Sequence, residues 1–556
     1  MTGSRGKSPD SRSAILIACG LLFVGTLLAL REPARAADVT PPRVESTAPA
    51  DAAQKLADRI DALVEERWAK EKITPAPLAS DAEFLRRTSL DLCGRIPPGS
   101  EVRDFVDSTS PGKRRAAIDR MLDSPTYIVN ATNRWREAML PEADADDILR
   151  RISVPTFESW LRSRIAENRD YAEIVREILT LPIQGGNMME GFNQPNASTP
   201  EAFYRAKQAK PENLGAATSR LFLGVRLECA QCHDHPFDTW KRDQFWSYAA
   251  FFSEFQQPAA GPVTETLKAI LTPDSHSLKI PDTDQVAKAA YLAGPAPDWN
   301  DKQAAREKLA NWITSPENPW FARAAANRVW AQMFGQGIVD PVDDFGPNNP
   351  PSHPEVLDEL AKAFVEHKHD LRFLARAITL SKTYQRTSRR THSSQDTPRT
   401  FARMPVRAMS PEQIFDSLAQ ATGRFTFFDP EQPLNLSNDP ARQEFLETFT
   451  NDSESTVERQ STILQALTLM NGSFVSTATD VAASQSLTAV IEAPFLNTPE
   501  RVEALFFAAL SRPPKPDELE KFRQYVDDGG PEQDPKKALA DVFWTLLNAN
   551  EFALNH

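Results

Sequence analysis

Residues Cys229-Ala230-Gln231-Cys232-His233 place two thiols three positions apart, with an imidazole directly after the second. Two cysteines at this spacing can add to both vinyl groups of one porphyrin, and the adjoining histidine can reach the iron as proximal ligand, which is the arrangement of c-type haem attachment. Two other chemistries use the same atoms. Cys229, Cys232, His233 and His235 together offer soft and borderline donors for zinc or another thiophilic ion. Cys229 and Cys232 can also close a local disulfide and leave the histidines to ordinary hydrogen bonds. His235 cannot complete the coordination of the same haem, because axial ligands lie on opposite porphyrin faces and residues i and i+2 cannot straddle the ring. A sixth ligand would come from Met188, Met189, His276, His353, His367 or His369, or the position stays open.

The elements that must position these groups follow from the pattern around them. Leu221-Phe222-Leu223 leads into the motif as an apolar turn, and Phe245, Tyr248 and Phe252 follow at helical spacing, able either to wall a porphyrin edge or to fill a core. No methionine falls between His233 and Met333, so the downstream methionine loop of a small cytochrome c is missing and that fold is not expected. Many of the 44 prolines stand at helix starts. Thr199-Pro200-Glu201, Ser410-Pro411-Glu412-Gln413 and Thr498-Pro499-Glu500 each put a capping hydroxyl ahead of a proline whose missing N–H costs nothing in a first turn. Behind such starts runs the 3.6-residue apolar period: Leu56, Ile60, Leu63 and Val64; Val356, Leu357, Leu360 and Phe364; Leu371, Leu374 and Ile378; Val502, Leu505, Phe506 and Ala509. Sustained alternation is scarce. The expectation is a mainly α protein of two helical domains, with any short strands in the middle.

Composition divides the chain and locates it. Arg5, Lys7 and Arg12, the apolar run Ala14–Leu30 and the small-x-small triplet Ala34-Arg35-Ala36 read as an export signal over 1–36, with an uncleaved membrane anchor as the alternative. The destination is extracytoplasmic, either periplasm or cell surface. A Pro/Ala/Thr spacer over 37–50 precedes a helical domain at 51–255 that holds the motif. An irregular Pro/Gly/Asp-containing linker, 256–302, leads to a second helical domain, 303–556. The formal net charge of -13 speaks against nucleic acid or anionic lipid as partner. The membrane enters only through an uncleaved anchor, and the partners expected are extracytoplasmic redox or envelope proteins. Of the four cysteines, Cys19 lies in the signal and Cys93 reads as a small buried apolar residue.

Other polar groups are assigned structural roles. Asp343, Asp344 and His353 have the parts of an acid/base or metal site, but Ser352-x-x-Glu355 with Pro354 reads as a capping box for the helix after it. Asn327-Arg328 before Trp330 reads as a buried hydrogen-bonded contact, and His367 and His369 as the end of the helix over 355–366. No Gly-x-Ser-x-Gly elbow, phosphate-binding glycine loop or His-Glu-x-x-His pair is present.

Phe84-Leu85-Arg86-Arg87-Thr88-Ser89-Leu90-Asp91-Leu92, Ala202-Phe203-Tyr204-Arg205 and Ser219-Arg220-Leu221-Phe222-Leu223-Gly224-Val225-Arg226 running into Cys229–Phe237 resemble the planctomycete cytochrome-like domain of unknown function, PSCyt type. The second half is similar to the planctomycete-specific PSD-type domain. The likeness runs through Asn327-Arg328-Val329-Trp330, Gly337-Ile338-Val339, Asp343-Asp344-Phe345-Gly346, Ser352-His353-Pro354-Glu355, Ser381-Lys382-Thr383-Tyr384 and the closing Asn555-His556. Of the family's Gly-x-x-Trp-x-x-x-Trp only Trp135 is kept, and the insertion between the two domains is reduced. The resemblance implies an exported protein whose cytochrome label comes from the Cys-x-x-Cys-His pattern. Two classes of function follow. One is an extracytoplasmic redox protein with one haem c, transferring electrons or sensing a ligand. The other is a non-catalytic envelope or surface protein for binding or assembly, in which the motif is a disulfide or a non-haem metal site.

Overall fold

Proline-led helix starts recur along the computed structural model, which describes residues 47–144, 153–182, 198–255, 276–281, 283–301, 303–397, 399–424, 440–449, 479–481 and 483–556. The expected signal over 1–36, Met188, Met189 and the apolar run Leu267–Leu271 lie outside these residues. Ser410 caps the helix Pro411–Thr422 as expected: its Oγ accepts the Gln413 N–H at 3.2 Å and its own N–H donates to Gln413 Oε1 at 3.0 Å. For Thr498–Leu510 the cap is Asn497, one residue earlier than expected, in a reciprocal box with Glu500. Two expected caps are corrected. The short helix Ala202–Ala206 starts without a side-chain cap. Pro354–Glu366 also starts without one, because Ser352 Oγ donates to the Ile338 carbonyl at 3.1 Å, as does Ser352 N–H at 2.8 Å, leaving nothing to cap the helix.

The periodic faces lie inward. Ile60, Val64, Leu357, Leu360, Phe364, Leu374, Ile378, Val502 and Leu505 are all buried. The helix Phe321–Phe334 is buried over most of its surface and packs on Pro354–Glu366, Leu371–Leu380 and the π-turn Ser219–Leu223. Residues Ala48–His556 form one unit, whose largest apolar cluster runs from Ala53 to Phe507 and draws on both sides of 256–302. A second cluster joins Leu90 and Ile96 to the helices after Met409. The helix Asp81–Cys93 feeds both clusters, with every residue from Phe84 to Leu92 buried.

The molecule is mainly α, as expected. Among the described residues, strands are confined to two small antiparallel pairs. Ser277–Lys279 with Val286–Lys288 falls in the middle of the chain, and stacked rings tie that stretch to the helices: Phe251 on Tyr291 at 5.2 Å and Tyr291 on Trp312 at 5.0 Å. Arg407–Ala408 with Leu554–Asn555 falls outside the expected region. A two-residue ladder leaves no alternation to read in sequence. No described helix is long and apolar enough to cross a membrane.

Candidate functional site

The Cys229–His233 turn is built outward from the core. The π-turn Ser219–Leu223 ends at Gly224 in the left-handed region, φ +67, where a Cβ would stand 2.6 Å from the Phe345 ring, so only glycine fits. Gly224 O accepts the Phe345 N–H at 2.8 Å. Val225 and Leu227 are buried, and the chain then enters a 3-10 turn, Glu228–Gln231. Ala230 is the buried peg of that turn, and the Gln231 carbonyl is held by Trp246 Nε1 at 3.0 Å and Arg242 Nε at 3.4 Å, both from the helix Arg242–Ala249.

Cys229 and Cys232 emerge exposed, as free thiols. His233 is exposed too, and its Nδ1 lies 2.7 Å from the Asp234 carbonyl. With Nδ1–H donating to that oxygen, the Nε2 lone pair is left available, the tautomer a metal-ligating imidazole requires. Asp234 is fixed in turn: Lys241 Nζ reaches Oδ2 at 3.0 Å and the Arg242 N–H reaches Oδ1 at 3.1 Å. These bonds, that of Lys241 first, hold its carboxyl below the usual range. His235 has the other tautomer, because its Nδ1 accepts the Phe237 N–H at 3.2 Å and the neutral ring then carries its proton on Nε2. Among the described residues, no three His, Cys, Asp or Glu side chains are grouped to hold a metal ion, so a four-ligand site with His233 and His235 requires the turn to rearrange.

The residues present fit covalent attachment and a proximal imidazole. Of the two readings of Phe245, Tyr248 and Phe252, the structure shows core: all three are buried, with Tyr248 Oη 3.4 Å from Thr218 Oγ1. The large apolar group standing open beside the motif is Phe237, 77% exposed. The histidines considered for a sixth ligand are engaged elsewhere. His276 stacks on Trp299, His353 Nδ1 faces Arg67 Nη1 at 3.0 Å, His367 stacks on Phe373, and His369 is buried against Phe321 and Phe364. Asp343 is not part of an acid/base pair with His353. Its carboxylate is shared by Arg220 and Arg226, whose hydrogen bonds hold its pKa down against the upward push of burial. Asn327 is the buried contact expected of it, its amide bonding Val339 through both N and O. Cys93 is half-buried, and burial pushes its thiol up.

Sequence reasoning missed a buried polar junction. Asp91, fully buried, accepts two bonds from Arg407 Nη2 at 2.9 Å, one from Tyr384 Oη at 2.7 Å and one from Asn555 Nδ2 at 2.8 Å. Arg86 donates to the carbonyls of Ala509 and Phe552, and Arg87 to those of Tyr384 and Arg386. The signal was present in Phe84–Leu92, an apolar helical stretch with three charges and no polar face to put them on. Beside this junction opens a cleft of about 1080 Å³, whose wall includes Asn130, Arg134, Lys207, Glu228, Arg328 and Asp416.

A Cys-x-x-Cys-His turn on one helical region, joined to a second by buried arginines and one aspartate, defines a two-region, mainly helical protein. Residues 59–257 match the PSCyt2 family model, described as a protein of unknown function (DUF1549), and residues 305–526 match PSD1, also described as a protein of unknown function (DUF1553). The two regions follow one another along the chain in the order that the PSCyt and PSD resemblance implied. No curated protein and no solved structure matches it.

Proposed function

We propose that this is an exported protein carrying one c-type haem on Cys229 and Cys232, with His233 as axial ligand, acting in extracytoplasmic electron transfer or ligand sensing. The carrying observation is the His233 Nδ1 contact with the Asp234 carbonyl, beside two exposed free thiols on a turn anchored through Gln231. Haem would supply one-electron redox chemistry or a ligand site at its iron. The chain's own part is to hold the ring nitrogen in its basic tautomer and keep the turn fixed through Trp246, Arg242 and Lys241. A second reading rests on a different observation, the burial of Phe245, Tyr248 and Phe252 in the core: a non-catalytic envelope binding or assembly protein in which Cys229 and Cys232 pair as a disulfide or bind a non-haem metal.

Production in a host with haem-attachment machinery, followed by a haem-peroxidase stain after denaturing electrophoresis, separates the two. The first reading expects a stained band and a mass gain of about 616 Da on the fragment bearing the motif, both lost in Cys229→Ala/Cys232→Ala. An unstained wild type lacking that gain overturns it.

A further inference from the structure

The cleft contains two arginines that form no ion pair among the described residues. Four other cations of its wall are paired: Lys207 with Glu142 at 2.6 Å, Arg407 with Asp91 at 2.9 Å, Arg136 with Glu158 at 3.4 Å and Arg220 with Asp343. Arg134 and Arg328 differ. Arg134 bonds neutral acceptors alone, Asn130 Oδ1 at 3.5 Å and the Gln332 carbonyl at 3.2 Å. Arg328 makes no hydrogen bond or ion pair among the described residues, and the carboxylate whose charge it feels, Asp343, is already shared by Arg220 and Arg226.

Geometry aims both at one place. Arg328, Ala331, Gln332 and Gly335 all line the cleft, the i, i+3, i+4, i+7 face of the helix Phe321–Phe334 and its cap. Arg134 is tied to Gln332, four residues beyond Arg328 and about 6 Å along the axis. Burial lowers the pKa of both guanidinium groups, yet arginine keeps its proton at neutral pH, so two positive charges without ion pairs face one cavity, with Asp91 and Glu137 of its wall acting on Arg134 through space. The cavity is of ligand size and lies where the two family regions meet, a common location for binding sites.

We propose that this cleft binds a small dianion, a dicarboxylate or a phosphate, with its oxyanions on Arg134 and Arg328. Planar guanidinium forks suit both ligand types. The proposal stands apart from haem attachment, although Glu228 in the cleft wall directly precedes Cys229, so an occupied cleft adjoins the thiol turn.

Isothermal titration of the full chain with succinate, inorganic phosphate and acetate, at ionic strength matched with chloride, tests it. Saturable binding of succinate or phosphate, tighter than acetate, is expected, and whichever dianion binds identifies the source. Arg328→Gln and Arg134→Gln should each weaken it about tenfold or more, the loss of one charge-assisted bond. Arg169→Gln, at an exposed site outside the cleft, should leave it unchanged. Should the glutamine variants fail to fold by circular dichroism, Arg328→Lys decides, since it keeps the charge, loses the fork and should weaken binding by less. Absence of saturable dianion binding in the wild type, or wild-type affinity in folded Arg328 and Arg134 variants, overturns the proposal.

Discussion

Replacing Asp91 by asparagine keeps the shape of the side chain and removes its charge at the point where the two family regions meet. Arg407, whose side chain is 6% exposed, then loses the carboxylate that takes two of its bonds, and Arg87 and Arg134 lose the negative charge they feel through space. Breaking a buried pair from one side costs about 3 to 5 kcal/mol, because the surviving charge stays in a low-dielectric interior. With unfolding entropy of about 2.1 cal/mol/K per residue over roughly 500 residues, 1 kcal/mol is worth about one degree, so the midpoint should fall by about 3 to 5 °C. Differential scanning calorimetry reads this directly. Hydrogen exchange should rise first in Arg407–Ala408 and Leu554–Asn555, the strand pair that Asn555 fastens to Asp91. A fall under about 1 °C with unchanged exchange would refute the reasoning, since the pair would then contribute no more than a surface one.

Two further outcomes follow from the geometry. Gly224→Ala should cost about 1 to 2 kcal/mol from the left-handed backbone, with more from the Phe345 ring 2.6 Å from the new Cβ; Gly112→Ala, which meets nothing within 4 Å, serves as the control, and equal thermal midpoints for the two would contradict the close-approach argument. Burial, then the charges of Arg67 and Arg399, lower His353 to about 3, so between its unfolded value near 6.5 and about 3 the unfolded chain binds the extra proton. Stability from this group is therefore complete above pH 6.5 and is lost as pH falls through that window. His353→Gln should flatten the urea midpoint between pH 7 and 4.5 relative to wild type, and parallel curves would remove His353 as the cause.

The periodic faces at Ile60, Leu360, Leu374 and Leu505 were legible because helix geometry maps spacing onto burial residue by residue, and the cap at Ser410 because its partner lies three positions away. The Cys229–His233 spacing was equally local. Ser352 was misread for the complementary reason: its hydroxyl had a local partner in prospect and found the Ile338 carbonyl instead. Tertiary contacts alone could decide that Phe245, Tyr248 and Phe252 are core and not an open wall, and that Asp343 serves two arginines.

The amino-acid sequence by itself determined the helices, the ligand types of the exposed turn and the two-region order, since each depends on residues within a few positions of one another. The meeting of Asp91 with Tyr384, Arg407 and Asn555, and the cleft that brings Arg134 to Arg328, join residues hundreds of positions apart. Such pairings depend on how helices stack, and burial then sets the strength of each charge, a property no spacing in the chain encodes.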